Sequence, residues 1–316
     1  MKFVIVGHRS QGGGAVVQHS LCKMLEELGQ NAKIIYFARG NYDNQSHLIF
    51  WLKWIIYSIK ITIKSVVEFV LGPNRLKGYF DISPYLRTVK RKYLPFVGKN
   101  TIVVYTETFF GNPLHAQNVV RWLLYYNSIY KQDGEKTIGY DKNDLFFTYR
   151  SIFNDPKLNP DCKLLNISYY DLDLYKRTNF GKRSGKCYVL KKGAWRVKDS
   201  DCDDGIIIDN FTEKEKVRIF NECEYCISYD TQTAYSSIAA MCGCISIVMP
   251  ENGKSGKDYR TNGEFRYGQA FGFSVEEIQF AIATRDKIKE RLLKCNRNSR
   301  EQTKIFLKEC ANYFIL

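Results

Sequence analysis

Residues 228–233 read Ser228-Tyr229-Asp230-Thr231-Gln232-Thr233, a run of hydroxyls around one carboxylate, set between the apolar stretch CIS and a helical segment. At a strand-to-helix turn, free amides and hydroxyls converge on the positive end of the helix, which suits a phosphate. Asp230 can accept from a ribose or sugar hydroxyl, or it can cap the helix. Capping needs one such residue, whereas here Ser228, Asp230, Thr231 and Thr233 come together. The chemistry they suit is the holding of a nucleotide-linked sugar. Lys191-Lys192-Gly193 closes another strand, and adjacent ammonium groups there suit a diphosphate or are surface lysines. His8-Arg9-Ser10-Gln11-Gly12-Gly13-Gly14 precedes a helix, and Gly12, Gly13 and Gly14 either bring backbone amides to a phosphate or make a structural turn. The spacing is neither a dinucleotide fingerprint nor a P-loop. Glu107, at the carboxyl end of TIVVYTE, stands where a general base or hydroxyl ligand would sit, or is a loop or capping carboxylate. His8 is the second candidate base.

These loops need strands and helices to hold them. KFVIVG, then AVVQHSLCKMLEELGQ closed by Gly29, then AKIIYF make a strand–helix–strand unit, the start of a parallel sheet with helices on its faces. TIVVYTE (101–107) and DLFFTY (144–149) read as further strands, with a helix over LHAQNVVRWLLYY between them. NFGKRSGK reads as a linker. After it CYVLKKG, GIIIDN, CIS and CISIVMP are strands, TEKEKVRIFNEC is a helix capped by Thr212, and TAYSSIAAMCG is another. Two closing helices are expected at 275–294 and 298–314. The fold class is α/β, two facing Rossmann-like domains with a ligand cleft between them. The expected domains are 1–178 on the acceptor side and 179–316 on the nucleotide-sugar side, the last helix packing back on the first.

A chain of 316 residues is long enough for two cores. Its formal charge of +14 is uneven, because residues 48–99 alone carry a net +8. Such a patch calls for an anionic partner: nucleic acid, a phospholipid surface or a phosphorylated substrate. MKFVIVGHRS turns polar too soon for a signal peptide, so a cytoplasmic protein with reduced thiols is expected. Cys223-x-x-Cys226 and Cys242-x-Cys244 could be imagined as zinc ligands, but they lie in apolar strands and at a helix end, where small buried hydrophobes explain them better. No metal and no cofactor is expected; the nucleotide-sugar is substrate.

Residues 48–71, LIFWLKWIIYSIKITIKSVVEFVL, are the most hydrophobic segment, yet four charges interrupt them. Lys53, Lys60 and Lys64 share one helical face, with Trp51, Trp54, Ile55 and Ile59 largely elsewhere. That is the pattern of an interfacial helix on an anionic membrane, or of an ordinary domain helix with a solvated lysine face.

The assembled motifs resemble a known family. LLNISYYDLDLYK is similar to the stretch before the second domain of GT-B glycosyltransferases. YTETFFGNPLHAQNVVRWLL (105–124), CISYDTQTAYSSIAAMCGCISIVMPENG (226–253) and RYGQAFG (266–272) resemble bacterial surface-polysaccharide glycosyltransferase-like proteins. Thr106 stands where that family has proline, and its chain lacks the paired-glutamate donor motif of many retaining relatives. The resemblance implies a nucleotide-sugar donor in the second domain, near Lys191, Lys192, Gly193, Ser228, Tyr229, Asp230, Thr231, Thr233, Tyr235 and Ser236. It also implies a glycan or lipid-linked acceptor in the first domain. The expected activity is a metal-independent glycosyltransferase of lipopolysaccharide, O-antigen or capsule synthesis, peripheral at the inner face of the membrane. A nucleotide-sugar epimerase on the same fold, a non-catalytic relative and a nucleic-acid-binding basic protein are the alternatives, the last without a recognisable nucleic-acid motif.

Overall fold

A computed structural model describes residues 1–7, 13–37, 40–42, 47–71, 83, 85–126, 140–197, 199–260 and 263–315. The chain divides into two compact units. One comprises Met1–Tyr169 with Asn296–Leu316, the other Tyr170–Cys295. The division therefore falls at 169/170 rather than at 178/179.

The first unit is built on β1 (Lys2–Gly7), α1 (Gly13–Glu27), β2 (Asn31–Tyr36), β3 (Gly40–Asn41), α2 (His47–Leu71), β4 (Thr101–Thr106), β5 (Phe109–Phe110), β6 (Asn118–Leu123) and β7 (Leu145–Thr148). Five strands form a parallel sheet in the order β2-β1-β4-β6-β7, and β3 pairs with β5 apart from it. Strand side chains alternate between the two faces. Phe3, Ile5, Ile102, Val104 and Trp122 pack with Leu21 and Leu25 of α1, while Val4, Val6, Val103 and Tyr105 pack with Phe50 of α2. Buried on both faces, these strands read as near-continuous apolar runs.

That property explains a correction. The segment expected to be a helix over LHAQNVVRWLLYY is instead the strand β6, with Val119 opposite Val103 and Val120 opposite Val104. A short run whose only polar residue past Asn118 is Arg121 carries no period by which helix and strand differ. The loop before it is closed by Gly111 and His115, both left-handed, with φ of 78° and 48°. Asn112 ties that loop internally, its Oδ1 accepting from the Ala116 amide at 3.0 Å and from the Tyr105 hydroxyl at 3.1 Å.

The second unit contains β8 (Lys186–Val189), β9 (Gly205–Ile207), α3 (Glu213–Glu222), β10 (Tyr225–Ser228), α4 (Tyr235–Cys242), β11 (Ile245–Val248), α5 (Gly256–Tyr259), β12 (Gln269–Phe271) and α6 (Val275–Thr284). Its sheet is also parallel, in the order β12-β11-β10-β8-β9. Thr212 caps α3 through a reciprocal box with Glu215. The segment NFGKRSGK is no free linker. Arg183 donates to Phe220 O at the end of α3 and to Cys242 O at the end of α4, both at 2.8 Å, a cation at two negative helix ends.

The last helix, α7 (Ile288–Phe314), begins earlier than expected, the break lying at Arg285–Lys287 rather than near 295–297. Asn296, Asn298 and Ser299 look like a stop in the sequence, yet the helix runs through them. Ser299 is buried and exchanges hydrogen bonds with the backbone of Ser168, at 2.8 and 2.9 Å.

A buried ion pair crosses the first sheet's edge. Arg121 Nε lies 2.6 Å from Asp144 Oδ2, with the side chains 1% and 4% exposed. The guanidinium also donates to Phe109 O and lies over the rings of Tyr105 and Tyr140. Burial raises the Asp144 carboxyl's pKa, and Arg121 opposes that shift. Replacing one partner strands the other charge, so Arg121→Met should cost about 3–5 kcal/mol in urea unfolding. The pair replacement Arg121→Met with Asp144→Leu should recover most of that loss; equal stability of Arg121→Met and wild type would remove the pair from the account.

Candidate functional site

In open parallel sheets, ligands sit beyond the carboxyl ends of the strands where the strand order reverses. In the second unit the chain leaves β8 for β9 on one side and reaches β10 on the other, so the reversal lies between β8 and β10. The loop after β8 is Lys191–Arg196 and the turn after β10 is 229–234. Both candidate donor stretches therefore flank one switch point.

They also touch. A Cβ built on Gly193 would lie 2.1 Å from Tyr229 O and 2.9 Å from Asp230 N, so only glycine lets the two backbones meet. Arg196 fastens the contact, donating to Tyr229 O, Met249 O and Pro250 O at 3.0, 3.1 and 2.6 Å. On the far side Arg260 donates to Thr231 O at 3.0 Å and to Gln232 Oε1 at 3.3 Å. The turn is held from both directions by guanidinium groups that the sequence does not single out.

Within it, Ser228 Oγ donates to Asp230 O at 2.9 Å, and Asp230 Oδ1 accepts from the Gln232 amide at 3.0 Å. Thr233 Oγ1 accepts from the Tyr235 amide at 3.2 Å. Thr231 is buried. Those hydroxyls and one carboxylate oxygen thus shape the turn itself. Tyr229 packs its ring against Tyr188 and Ile227, part of the unit's second core. Ser236, in the first turn of α4, is different: it is 1% exposed and its Oγ has no hydrogen-bond partner among the described residues. A buried hydroxyl left so costs about 1–3 kcal/mol unless a ligand or water meets it.

Lys191 adopts a left-handed φ of 39° and is held by its amide, which donates to Asp209 Oδ2 at 2.7 Å. Its ammonium donates to Asp209 O at 3.2 Å. Burial lowers its pKa from the ordinary lysine value, and the nearby Lys216 lowers it further, against Asp209, Glu213 and Asp230. Lys192 is exposed. Lys216, Glu213 and Tyr235 form a buried knot beside it. Lys216 Nζ lies 2.8 Å from Glu213 Oε1 and 2.9 Å from the Tyr235 hydroxyl, which itself donates to Glu213 at 2.5 Å. Tyr175 donates to the same carboxylate at 2.6 Å. Glu213 and Lys216 are one helical turn apart on α3, a common surface spacing that carries no signal of this burial.

The first unit has its own reversal, between β1 and β4. His8 and Gly12 lie outside the described residues, while Gly13 and Gly14 open α1. Glu107 follows β4, is 5% exposed, and its Oε2 accepts from the Leu124 amide at 2.8 Å. A Cβ on Gly14 would stand 3.7 Å from Leu124 Cδ1, so the start of α1 and Glu107 share Leu124 as a neighbour. Nearby Gln18 is buried, with its Oε1 unpartnered among the described residues and 2.9 Å from where a Cβ on Gly7 would lie.

The cysteines of the second unit gather in its core. Cys187, Cys223, Cys226, Cys242 and Cys244 belong to one buried cluster. Hydrogen bonding to neighbouring thiols and burial push Cys187 up, and burial pushes Cys242 up to about 12, so both are protonated thiols. On α2, Trp51 and Trp54 are half-buried against the first unit's core, while Lys53 and Lys60 are exposed and Lys64 is half-buried.

No protein-family model matches the chain. No curated protein does either. Among solved structures it is similar to the glycosyltransferase SnogD from Streptomyces nogalater, at 13% identity over 98% of this chain and 99% of that one, TM-score 0.41. It is similar to sucrose-phosphate synthase from Thermosynechococcus elongatus, at 9% identity over 96% and 94%, TM-score 0.41. MurG from Acinetobacter baumannii is similar at 11% identity over 99% and 100%, TM-score 0.34. Likeness at this level leaves function to the residues themselves.

Gly193→Ala tests the contact on which the site rests. With backbone at 2.1 Å from the new methyl, the loop must move, and a loss of about 1–3 kcal/mol in thermal or urea unfolding is expected. Unchanged stability would mean the two loops do not meet in solution.

Proposed function

We propose that the protein is a GT-B-type glycosyltransferase that moves a sugar from a nucleotide-sugar donor to a lipid-linked or surface glycan, working at the cytoplasmic face of a membrane. The observation that carries this reading is the pairing of the Lys191–Arg196 loop with the 229–234 turn at the switch point of the second sheet. Lys191 lies in the first of these loops with its ammonium over the ring of Tyr235, and the second leads into the positive end of α4, where the buried hydroxyl of Ser236 is unpartnered among the described residues. Each favours an incoming diphosphate.

In this reading the donor diphosphate lies against Lys191, Lys192 and the first turn of α4, and Asp230 receives a ribose or sugar hydroxyl through the carboxylate oxygen not used by Gln232. Charge that builds on the leaving diphosphate is met by the ammonium groups and the helix dipole, fixed in place before reaction, so the proposed transfer is metal-independent. Glu107 is the proposed base that takes the proton of the acceptor hydroxyl. It is buried and oriented by the Leu124 amide, as a base held in one rotamer must be.

Calorimetric titration with UDP, GDP, ADP, CMP and dTDP tests the donor site. One nucleotide should bind at micromolar Kd, and Lys191→Ala and Asp230→Ala should each weaken it roughly tenfold or more, since a charge-assisted hydrogen bond contributes about 1.5–3 kcal/mol. Ser236→Ala separates ligand from scaffold: removing an unpartnered buried hydroxyl should leave stability unchanged or raise it, yet weaken the nucleotide roughly tenfold. Binding of none of the five nucleotides would sink the proposal.

The pH dependence has a fixed sign. An anion binds the protonated Lys191, so affinity holds below its pKa and falls as pH rises through it. Because burial has lowered that pKa, the fall should begin below the ordinary lysine range, and Lys191→Met should abolish it. A flat profile for wild type would remove Lys191 from the diphosphate site.

A further inference from the structure

The helix α2 turns Phe50, Trp51, Trp54 and Ile61 toward the first unit and leaves the opposite face uncovered. Leu48, Leu52, Ile55, Ile59, Ile63 and Val66 recur at intervals of three and four, and each is between 42% and 69% exposed. A stripe of that kind, about 27 Å long at 1.5 Å per residue, is not what a solvated domain helix shows. Beside Trp51 the stripe is extended by Phe96, whose ring lies 5.2 Å from that of Trp51, and Leu94 and Tyr93 stand out near it at 59% and 67% exposure.

Its occupant can be read from the charges at its border. Lys53 and Lys60, one apart by two helical turns, edge the stripe between the exposed and the core-facing rows, with Lys64 following on the same line. Arg87, Lys90 and Lys99 lie exposed in the neighbouring segment, and the sequence of α2 sets one acid, Glu68, against Lys53, Lys60 and Lys64. A second copy of this chain would bring the same lysines and meet like charge with like. No described helix is long and apolar enough to cross a membrane. We infer that this face lies in the interface of an anionic lipid bilayer, the isoleucine and leucine stripe entering the acyl boundary and the lysines reaching the phosphates. Of the apolar residues that the sequence sets apart from the lysines, Trp51 and Trp54 are half-buried in the protein, while Ile55 and Ile59 stand in the exposed row.

The inference deepens the proposed function, since a lipid-linked acceptor is presented at a bilayer, but it rests on a different unit and on its own measurement. Flotation of the whole chain with vesicles of phosphatidylcholine alone and of phosphatidylcholine with phosphatidylglycerol reads it directly. Wild type should bind the anionic vesicles and bind several-fold less as salt rises. Ile55→Glu with Ile59→Glu, both on the exposed row, should lose tenfold or more, and Lys53→Gln with Lys60→Gln should lose several-fold. Nucleotide titration on the same variants should match wild type, which keeps this result separate from the donor site. Vesicle binding that depends on the lysines but not on the isoleucines would be mere charge attraction and would overturn the inference. So would absence of vesicle binding together with self-association that Ile55→Glu with Ile59→Glu abolishes.

Discussion

The second unit depends on guanidinium groups that bond main-chain carbonyls where regular structure stops. A parallel sheet buried on both faces ends in carbonyls that no strand can satisfy, and buried polar groups without partners are costly. Arg196 serves three such carbonyls beyond β10 and β11, and Arg183 serves the ends of α3 and α4. The planar fork of arginine suits this work because it offers five donors in fixed directions. In the first unit Arg121 does similar work at Phe109 while paired with Asp144. The loops that form the candidate site are therefore held by arginine side chains as well as by their own hydroxyls.

This alters the meaning of the chain's charge. A formal +14 suggests a basic surface for an anionic partner. Arg121, Arg183, Arg196 and Arg260 are instead committed to the backbone or to a buried carboxylate, and Arg266 pairs with Glu277 at 2.5 Å. Exposed cations remain elsewhere, among them Lys192 beside the turn and Lys53 and Lys60 on α2. Net charge sums internal and external cations alike, and only the environment of each one separates them.

The alternation of apolar runs with capped helices made most strands of both sheets legible, because β1, β2, β4, β7, β8, β9, β10 and β11 are short, apolar and bounded by turn residues, whereas the three residues of β12 are too few to read. The strand β6 was not legible, since VVRWLL, apolar but for Arg121, has no period, nor was the continuity of α7, since Ser299 finds its partner at Ser168, far away in sequence. The candidate turn was legible from its crowding of hydroxyls. Its supports were not: Arg196, Arg260, Glu213 and Lys216 look like ordinary surface residues until folding brings them to the turn. On α2 the sequence groups Trp51 and Trp54 with Ile55 and Ile59, and folding separates them. Aromatic residues suit a membrane interface and a protein core alike, and the sequence cannot show which face is covered.

The motifs that carry the family resemblance are explained in large part by packing. Asn112 knots its own loop, and Gly268 admits no Cβ because one would stand 2.1 Å from Ile288. Gln269 Nε2 donates to Ser237 and to Phe265 O. A relative that had lost all catalysis would still need these residues to fold. Resemblance in them therefore speaks for the scaffold more than for the reaction. Packing does not account for the unpartnered hydroxyl of Ser236 or the left-handed φ of Lys191. A fold that leaves a buried hydroxyl unmet and a lysine in a disfavoured backbone conformation bears a cost that structure alone does not repay. Both stand where the strand order of the second sheet reverses, and a bound anion would repay that cost.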